Sequence, residues 1–390
     1  LNGEVIESLN ADVVQLVEHM ISGSNLPVFG LKQDFIKKNR EISDFISAVR
    51  NTFMGDLVDT SLCPQKPAQI PPYINIQEDI DKFRKGSHVE PGKEVMKYLH
   101  DITFYINDYC ELDCGICSSS YKQFLSCHKT SQRNMELDFK YIEKTISAAN
   151  TFGVGQLNIS GGNIFFYSEF AKLCDLLNRF PINVSLYLNY LNVTHSEDKL
   201  KSITGLPFNL NILLNSPVKE KELEKVISLI GKSTLHGIYN FIVAKEEDIE
   251  ISQQLISRYG IKNYYFKPYF NGGNIEFFRA NVFPTREDII GSRPTMKEIF
   301  KKQKVNLFNF GSIIILTGGS IHAAINAEEI GNIKKNSLQE TIYKEITGLE
   351  SWRKTRERVE PCKNCNYNLL CPSISNYEFI IGKNNLCSIR

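Results

Sequence analysis

Residues 101–117 read DITFYINDYCELDCGIC, an alternating run that breaks into a loop carrying Cys110, Cys114 and Cys117. Alternation over so short a run reads as a β-strand, so the three thiols stand together just past a strand end. Three is an awkward number. A disulfide needs two, and a closed structural metal site usually needs four. Seven of the chain's ten cysteines fall in two clusters, 110–117 and 362–387. In a reducing compartment such clusters hold metal or do chemistry more often than they form disulfides. Cys174, at helical spacing among apolar residues in FAKLCDLLNRF, reads as a core thiol. Cys63 and Cys127 suggest no role.

Composition narrows the classes. The chain has 390 residues, enough for two or three domains, with 42% hydrophobic and 23% charged residues. Lys and Arg number 45 against 44 Asp and Glu, a net charge of +1 with no basic stripe. A nucleic-acid partner is therefore not expected. No signal-peptide core and no apolar run of about 18 residues stands out, so a cytoplasmic protein without a membrane partner is expected. Leu1 in place of an initiating methionine suggests a trimmed start.

Along the chain, residues 1–62 read as a small independent unit. In EISDFISAVRNTF, Ile42, Phe45, Ile46, Val49 and Phe53 recur at helical spacing, and NGEVIESL alternates. Pro64, Pro67, Pro71 and Pro72 then exclude any helix or central strand, making 63–95 a linker. From residue 96 to 290, strand-like runs alternate with amphipathic helices. The runs LHDITFYIN, GQLNIS, NVSLYLN, NLNILLN, GIYNFIV and NYYFKP predict a parallel sheet with helices outside, either doubly wound or a partial barrel. Residues 291–390 change character. SIIILTGGSIHAAIN predicts a hairpin turning at Gly318-Gly319, and the cysteine-bearing tail shows little helical periodicity.

Three cysteines suit a [4Fe–4S] cube with one iron left open, as a catalytic metal site leaves a position for substrate. Zinc completed by His100 or His128 is the alternative on spacing. Cys-x3-Cys-x2-Cys resembles the signature of the radical S-adenosylmethionine superfamily, whose members carry it after the first strand of a partial (β/α)6 barrel. That resemblance implies a cluster on Cys110, Cys114 and Cys117 whose open iron binds S-adenosylmethionine, with Ile116 beside the adenine. It further implies a Gly-Gly-Glu stretch after the second strand, whose backbone oxygens bind the methionyl amino group. Here that stretch is Ser160-Gly161-Gly162-Asn163, with Asn163 in place of the acid. Asn189 and Asn215 stand at strand ends where the family places polar residues near the ribose and carboxylate; as bare residues they read equally as strand-end caps.

Cys362, Cys365, Cys371 and Cys387 suit zinc or iron–sulfur about equally on spacing. The segment resembles the SPASM domain of peptide-modifying radical enzymes, which normally holds two auxiliary clusters. Ala324 and Ser375 stand where two of its cysteines would be, so the resemblance implies one auxiliary cluster and two [4Fe–4S] clusters in all. The N-terminal unit is similar in size and element order to winged-helix domains that grip leader peptides. Together these features resemble maturases of ribosomally synthesised peptides, of the kind in Bacteroides-like peptide clusters. The expected partners are a precursor peptide with its leader and a ferredoxin- or flavodoxin-type donor. The expected reaction is hydrogen abstraction from a peptide carbon, giving a crosslink or epimer, with no catalytic base assignable. A sulfatase-maturing radical oxidase and a non-catalytic peptide-binding scaffold are the alternatives.

Overall fold

A computed structural model describes residues 8, 10–21, 33–51, 93–112, 114–118, 122–130, 134–348 and 350–387. The chain divides into two compact units, 1–75 and 76–390. The described part of the first unit is helical, with helices Ala11–Ile21, Gln33–Lys38 and Arg40–Asn51. Val13, Leu16 and Ile42 form its buried centre, flanked by Val17, Phe45 and Ile46. Ile42, Phe45 and Ile46 are the helical stripe seen in the sequence. Each such side chain, fully buried, contributes about 1.5–3 kcal/mol. The alternating NGEVIESL run, apart from Ser8, lies outside the described residues, as do Cys63 and most of the proline-rich stretch.

The second unit is a mixed α/β structure. Its strands are β1 (Asp101–Tyr105), β2 (Gln156–Ser160), β3 (Asn183–Asn189), β4 (Asn209–Leu214), β5 (His236–Val243), β6 (Tyr264–Pro268), β7 (Ser312–Ile315), β8 (Ser320–His322) and β9 (Glu329–Asn332). They form one sheet in the order β6-β5-β4-β3-β2-β1-β7-β8-β9. From β1 to β6 every pair is parallel, and β7 joins β1 in parallel before the sheet turns antiparallel. The hairpin at Gly318-Gly319 forms as the sequence suggests. Its first strand, however, extends the parallel sheet instead of belonging to a separate domain.

Strand order decides between the two architectures that the alternation allowed. β1 to β6 follow chain order across the sheet, so right-handed crossovers place all connecting helices on one face. A doubly wound sheet reverses within such a run, and β1 to β6 do not; the chain returns to the other side of β1 only with β7. The helix-side face is apolar: Ile102, Phe104, Leu157, Ile159, Leu186, Ile212 and Phe241 are buried. The other face is polar across β1 to β3 and carries the apolar Leu213 and Ile242 on β4 and β5. Asn158 donates to Thr103 (3.2 Å) across β1–β2, and Gln156 donates to Asn158 (3.2 Å) and Ser185 (3.1 Å).

The sheet is curled. Lys122 and Asn326, beyond β8, exchange two hydrogen bonds of 3.0 and 2.7 Å. The very next residue, Gln123, exchanges two with Phe270 beyond β6, of 2.6 and 2.7 Å. In a flat sheet β6 and β8 would stand about 34 Å apart, seven strand spacings. Asn376 closes the seam by donating to Lys122 O (2.6 Å) and Gln123 O (2.9 Å), while Tyr377 donates to Pro268 O (2.7 Å). Both belong to the helix Asn376–Ile381, in a tail where helical periodicity was not expected. The polar face therefore lines a lumen.

Candidate active site at the cysteine loop and lumen

The parallel ladder of β1 and β2 continues past both strand ends. Ile106 N donates to Ser160 O (2.8 Å), Gly162 N to Asn107 O (3.0 Å) and Asn163 N to Tyr109 O (2.6 Å). The Ser160–Asn163 turn is thus laid along the root of the cysteine loop and ends at Cys110. Only glycine fits there. A Cβ on Gly162 would lie 2.1 Å from Tyr109 O and 3.1 Å from Cys110 Cβ. Gly161 has φ +153°, and its Cβ would meet both Asn107 oxygens at 2.7 Å. Ser160 is fully buried and donates to Ser126 O (2.7 Å), while Asn163 caps the following turn at Phe165 N (3.2 Å) and donates to Glu111 (3.3 Å).

Cys110, Cys114 and Cys117 are half-buried thiols, and Cys117 N donates to Cys114 O (2.9 Å) in the turn of helix Gly115–Ser118. Asn189 ends β3 and does two things. Its oxygen caps Leu191 N (3.0 Å) and its amide points at Cys114 Sγ (3.9 Å). Asn192, one helical turn on, points at Cys110 Sγ (3.7 Å) and was not singled out from the sequence. The available signal was its i,i+3 spacing from Asn189 on the helix Tyr190–His195, which puts both on one face.

Ile116 faces the lumen, where it packs with Cys127, Leu213, Ile242, Phe124, Tyr187 and Tyr269. Cys127, without an apparent role in the sequence, is therefore a lumen residue. Burial pushes its thiol well up, and the neighbouring Cys117, Cys114 and Cys110 add to the effect. His128 packs its ring on Tyr105 at 4.9 Å and shares a 3.2 Å contact with Ser126 Oγ. His100 precedes β1 while the cysteines follow it, so it stands at the wrong end of the strand to complete a zinc site. Cys174 is a core thiol as expected, on the helix Phe170–Asn178, with burial raising it to about 12.

Several buried polar atoms here have no partner among the described residues: Asn107 Oδ1, Asn192 Oδ1, Asn215 Oδ1 and His128 Nε2. An unpaired buried group costs about 1–3 kcal/mol. Three amide oxygens left as acceptors fit a ligand that brings N–H donors. The Gly161-Gly162 turn, which no side chain fills, and the three thiols complete the fit to a cluster-bound amino-acid ligand.

The second cysteine set also converges. Cys362, Cys365, Cys371 and Cys387 line one small cavity with Arg356, Asn368, Leu386 and Pro284. Burial raises Cys371 to about 11, with Arg356 opposing and the other thiols adding. Ala324 and Ser375 both line a different cleft of about 360 Å³. The two positions at which the resemblance would put further cysteines thus line one cleft, distinct from the cavity of the four cysteines. Among the described residues, no three His, Cys, Asp or Glu side chains close tightly enough to hold a single metal ion. Four thiols on one cavity are a donor set of the kind that a four-iron cluster takes.

The chain is similar to the crystal structure of Streptococcus suis SuiB bound to S-adenosylmethionine, with a TM-score of 0.55 and 14% identity over 91% of this chain and 88% of that one. The likeness is one of fold. It extends to SuiB bound to its precursor peptide SuiA, with a TM-score of 0.54 and 13% identity over 91% and 89% of the two chains. No family model and no curated protein sequence matches the chain. No helix among the described residues is long and apolar enough to cross a membrane.

Proposed function

We propose that this chain is a radical S-adenosylmethionine maturase of a ribosomally synthesised precursor peptide. The observation that carries it is the meeting, at the neighbouring ends of β1, β2 and β3, of three thiols, a glycine turn admitting no side chain, and the unpaired oxygens of Asn107 and Asn192. The fold likeness to SuiB, crystallised with S-adenosylmethionine and with its precursor peptide, supports the same reading.

Cys110, Cys114 and Cys117 would hold a [4Fe–4S] cluster, leaving an iron for S-adenosylmethionine. Bound together, cluster and cofactor supply reductive cleavage to a 5′-deoxyadenosyl radical, which abstracts hydrogen from a peptide carbon and leads to a crosslink or epimer. The chain's residues bind and orient. Backbone oxygens at Gly161 and Gly162, with Ser160 and Asn163 shaping the turn, would take the methionyl amino group. Asn189 and Asn192 steady two of the thiolates by N–H donation, Asn215 offers an acceptor, and Ile116 gives an apolar wall for the adenine. The lumen behind Ile116 excludes water.

Cys362, Cys365, Cys371 and Cys387 would hold one fully ligated auxiliary cluster. A ferredoxin- or flavodoxin-type protein is the electron donor in this reading, and the N-terminal unit receives the leader. The test is direct. Anaerobically reconstituted protein should hold about eight irons per chain, as two four-iron clusters require, and about half after replacement of Cys110, Cys114 and Cys117 by Ala. On reduction it should form 5′-deoxyadenosine. Mass spectrometry of a neighbouring-gene peptide coexpressed with it should show a mass change. Bound peptide without 5′-deoxyadenosine would make the chain a scaffold, and stoichiometric zinc at the C-terminal site would remove the auxiliary cluster.

A further inference from the structure

We infer that Arg356 sets the reduction potential of the cluster on Cys362, Cys365, Cys371 and Cys387, holding it high through a direct N–H···S contact. This rests on the auxiliary-cluster reading of those cysteines. Arg356 lies on the turn Arg356–Arg358, is only 9% exposed, and lines the same small cavity as the four thiols. Its guanidinium is engaged on every side. Nη1 donates to Cys362 Sγ (3.6 Å) and Asn384 O (2.8 Å), Nε donates to Pro372 O (2.6 Å), and Nη2 pairs with the buried Glu378 carboxylate.

A stabilising ion pair alone is a weak explanation. Taking both charges out of water offsets most of their attraction, and apolar replacements of such pairs are often neutral or better. Nor does the pair need sulfur, since Glu378 takes only the far nitrogen. The contacts have another pattern: Cys362 itself, Pro372 next to Cys371, and Asn384 three residues before Cys387. A planar guanidinium with five donors can span these three arms of the cysteine cradle, whereas an ammonium cannot. Lys302, the other cation nearby, is spent differently, its Nζ donating to Leu370 O (3.0 Å).

The electrostatic consequence has a definite sign. Reduction adds one negative charge to a cluster already surrounded by thiolates. A cation and an N–H donor at a ligand sulfur stabilise the reduced form more than the oxidised one, so the potential rises. Glu378 opposes this, but from the far side of the guanidinium.

The experiment uses the full chain carrying Cys110→Ala, Cys114→Ala and Cys117→Ala, reconstituted anaerobically so that only the C-terminal cluster remains, and titrated by EPR at fixed pH. Arg356→Gln should lower the midpoint by at least a tenfold change in the one-electron equilibrium, which is 59 mV. Arg356→Lys should recover part of that shift. Glu378→Gln, which leaves the guanidinium unopposed, should move the midpoint upward, and it serves if Arg356→Gln holds no iron. Full iron with an unchanged midpoint in Arg356→Gln, or in Glu378→Gln where that variant stands in, overturns the role of Arg356 alone. Absence of iron from the parent triple variant removes the auxiliary cluster itself, and this inference with it.

Discussion

Gly162 shows at residue scale how the site is specified. Its missing side chain lets the second strand's turn lie against the root of the cysteine loop, and nothing else in the alphabet does so. Gly162→Ala should force the Tyr109 carbonyl aside, costing about 1–3 kcal/mol by overpacking. Thermal denaturation should show the loss, and S-adenosylmethionine cleavage should fall with it. An unchanged melting temperature would mean that the turn does not pack on Tyr109. His128 makes a different kind of prediction. Burial holds its imidazole well below 6.5, with the Lys122 charge adding. The unfolded chain binds a proton below about pH 6.5 that the folded chain refuses, so the neutral folded form loses stability as pH falls through that value. The stability advantage of the parent over His128→Gln should therefore shrink from pH 7 to pH 5. Parallel curves would show that His128 titrates alike in both states.

Among elements, the six short strands were legible because each alternates or runs apolar for its length and then stops at a polar, glycine or proline residue. The helix Asn376–Ile381 was not. Six residues are too few for a periodic stripe, and its signal is local: Ser375 and Glu378 form a capping box, each side chain bonding the other's backbone. This short helix matters because it carries Asn376 into the seam. Asn376→Ala takes one of two donors from the Lys122 carbonyl and the Asn376 donor from the Gln123 carbonyl, the latter at about 1–3 kcal/mol. Hydrogen exchange should then accelerate in residues 122–128, which fill the lumen, before it changes in β2 to β4. Uniform acceleration across the sheet would make the seam a global rather than a local support.

For the whole molecule, the division at residue 75 predicts that the two units fold separately. Protein lacking residues 1–75 should keep its main unfolding transition and still cleave S-adenosylmethionine when reduced. If the first unit grips a leader, the truncated protein should modify its peptide poorly, because deletion makes an encounter bimolecular that tethering had made local. Mass spectrometry of modified peptide against concentration checks this. Full modification at unchanged apparent affinity would reduce the unit to an appendage.

The sequence by itself determined the strands, the helices between them and the two cysteine clusters. Those depend on period, on glycine and proline, and on spacing along the chain, all of which are local. It also located the Ser160–Asn163 turn and Asn189, because strand ends of a parallel sheet gather on one rim. Tertiary structure decided which of two architectures the alternation built, since strand order is a matter of pairing between segments far apart. It also placed Asn192 on Cys110, brought Cys127 and His128 into the lumen, and set Arg356 against Cys362. Asn192 meets Cys110 because β1 and β3 flank β2, Arg356 meets Cys362 because the tail folds back on itself, and residues 122–128 turn inward where the two sheet ends meet at Lys122 and Gln123. No periodicity in the chain encodes contacts of that kind, because they depend on how separate segments pack.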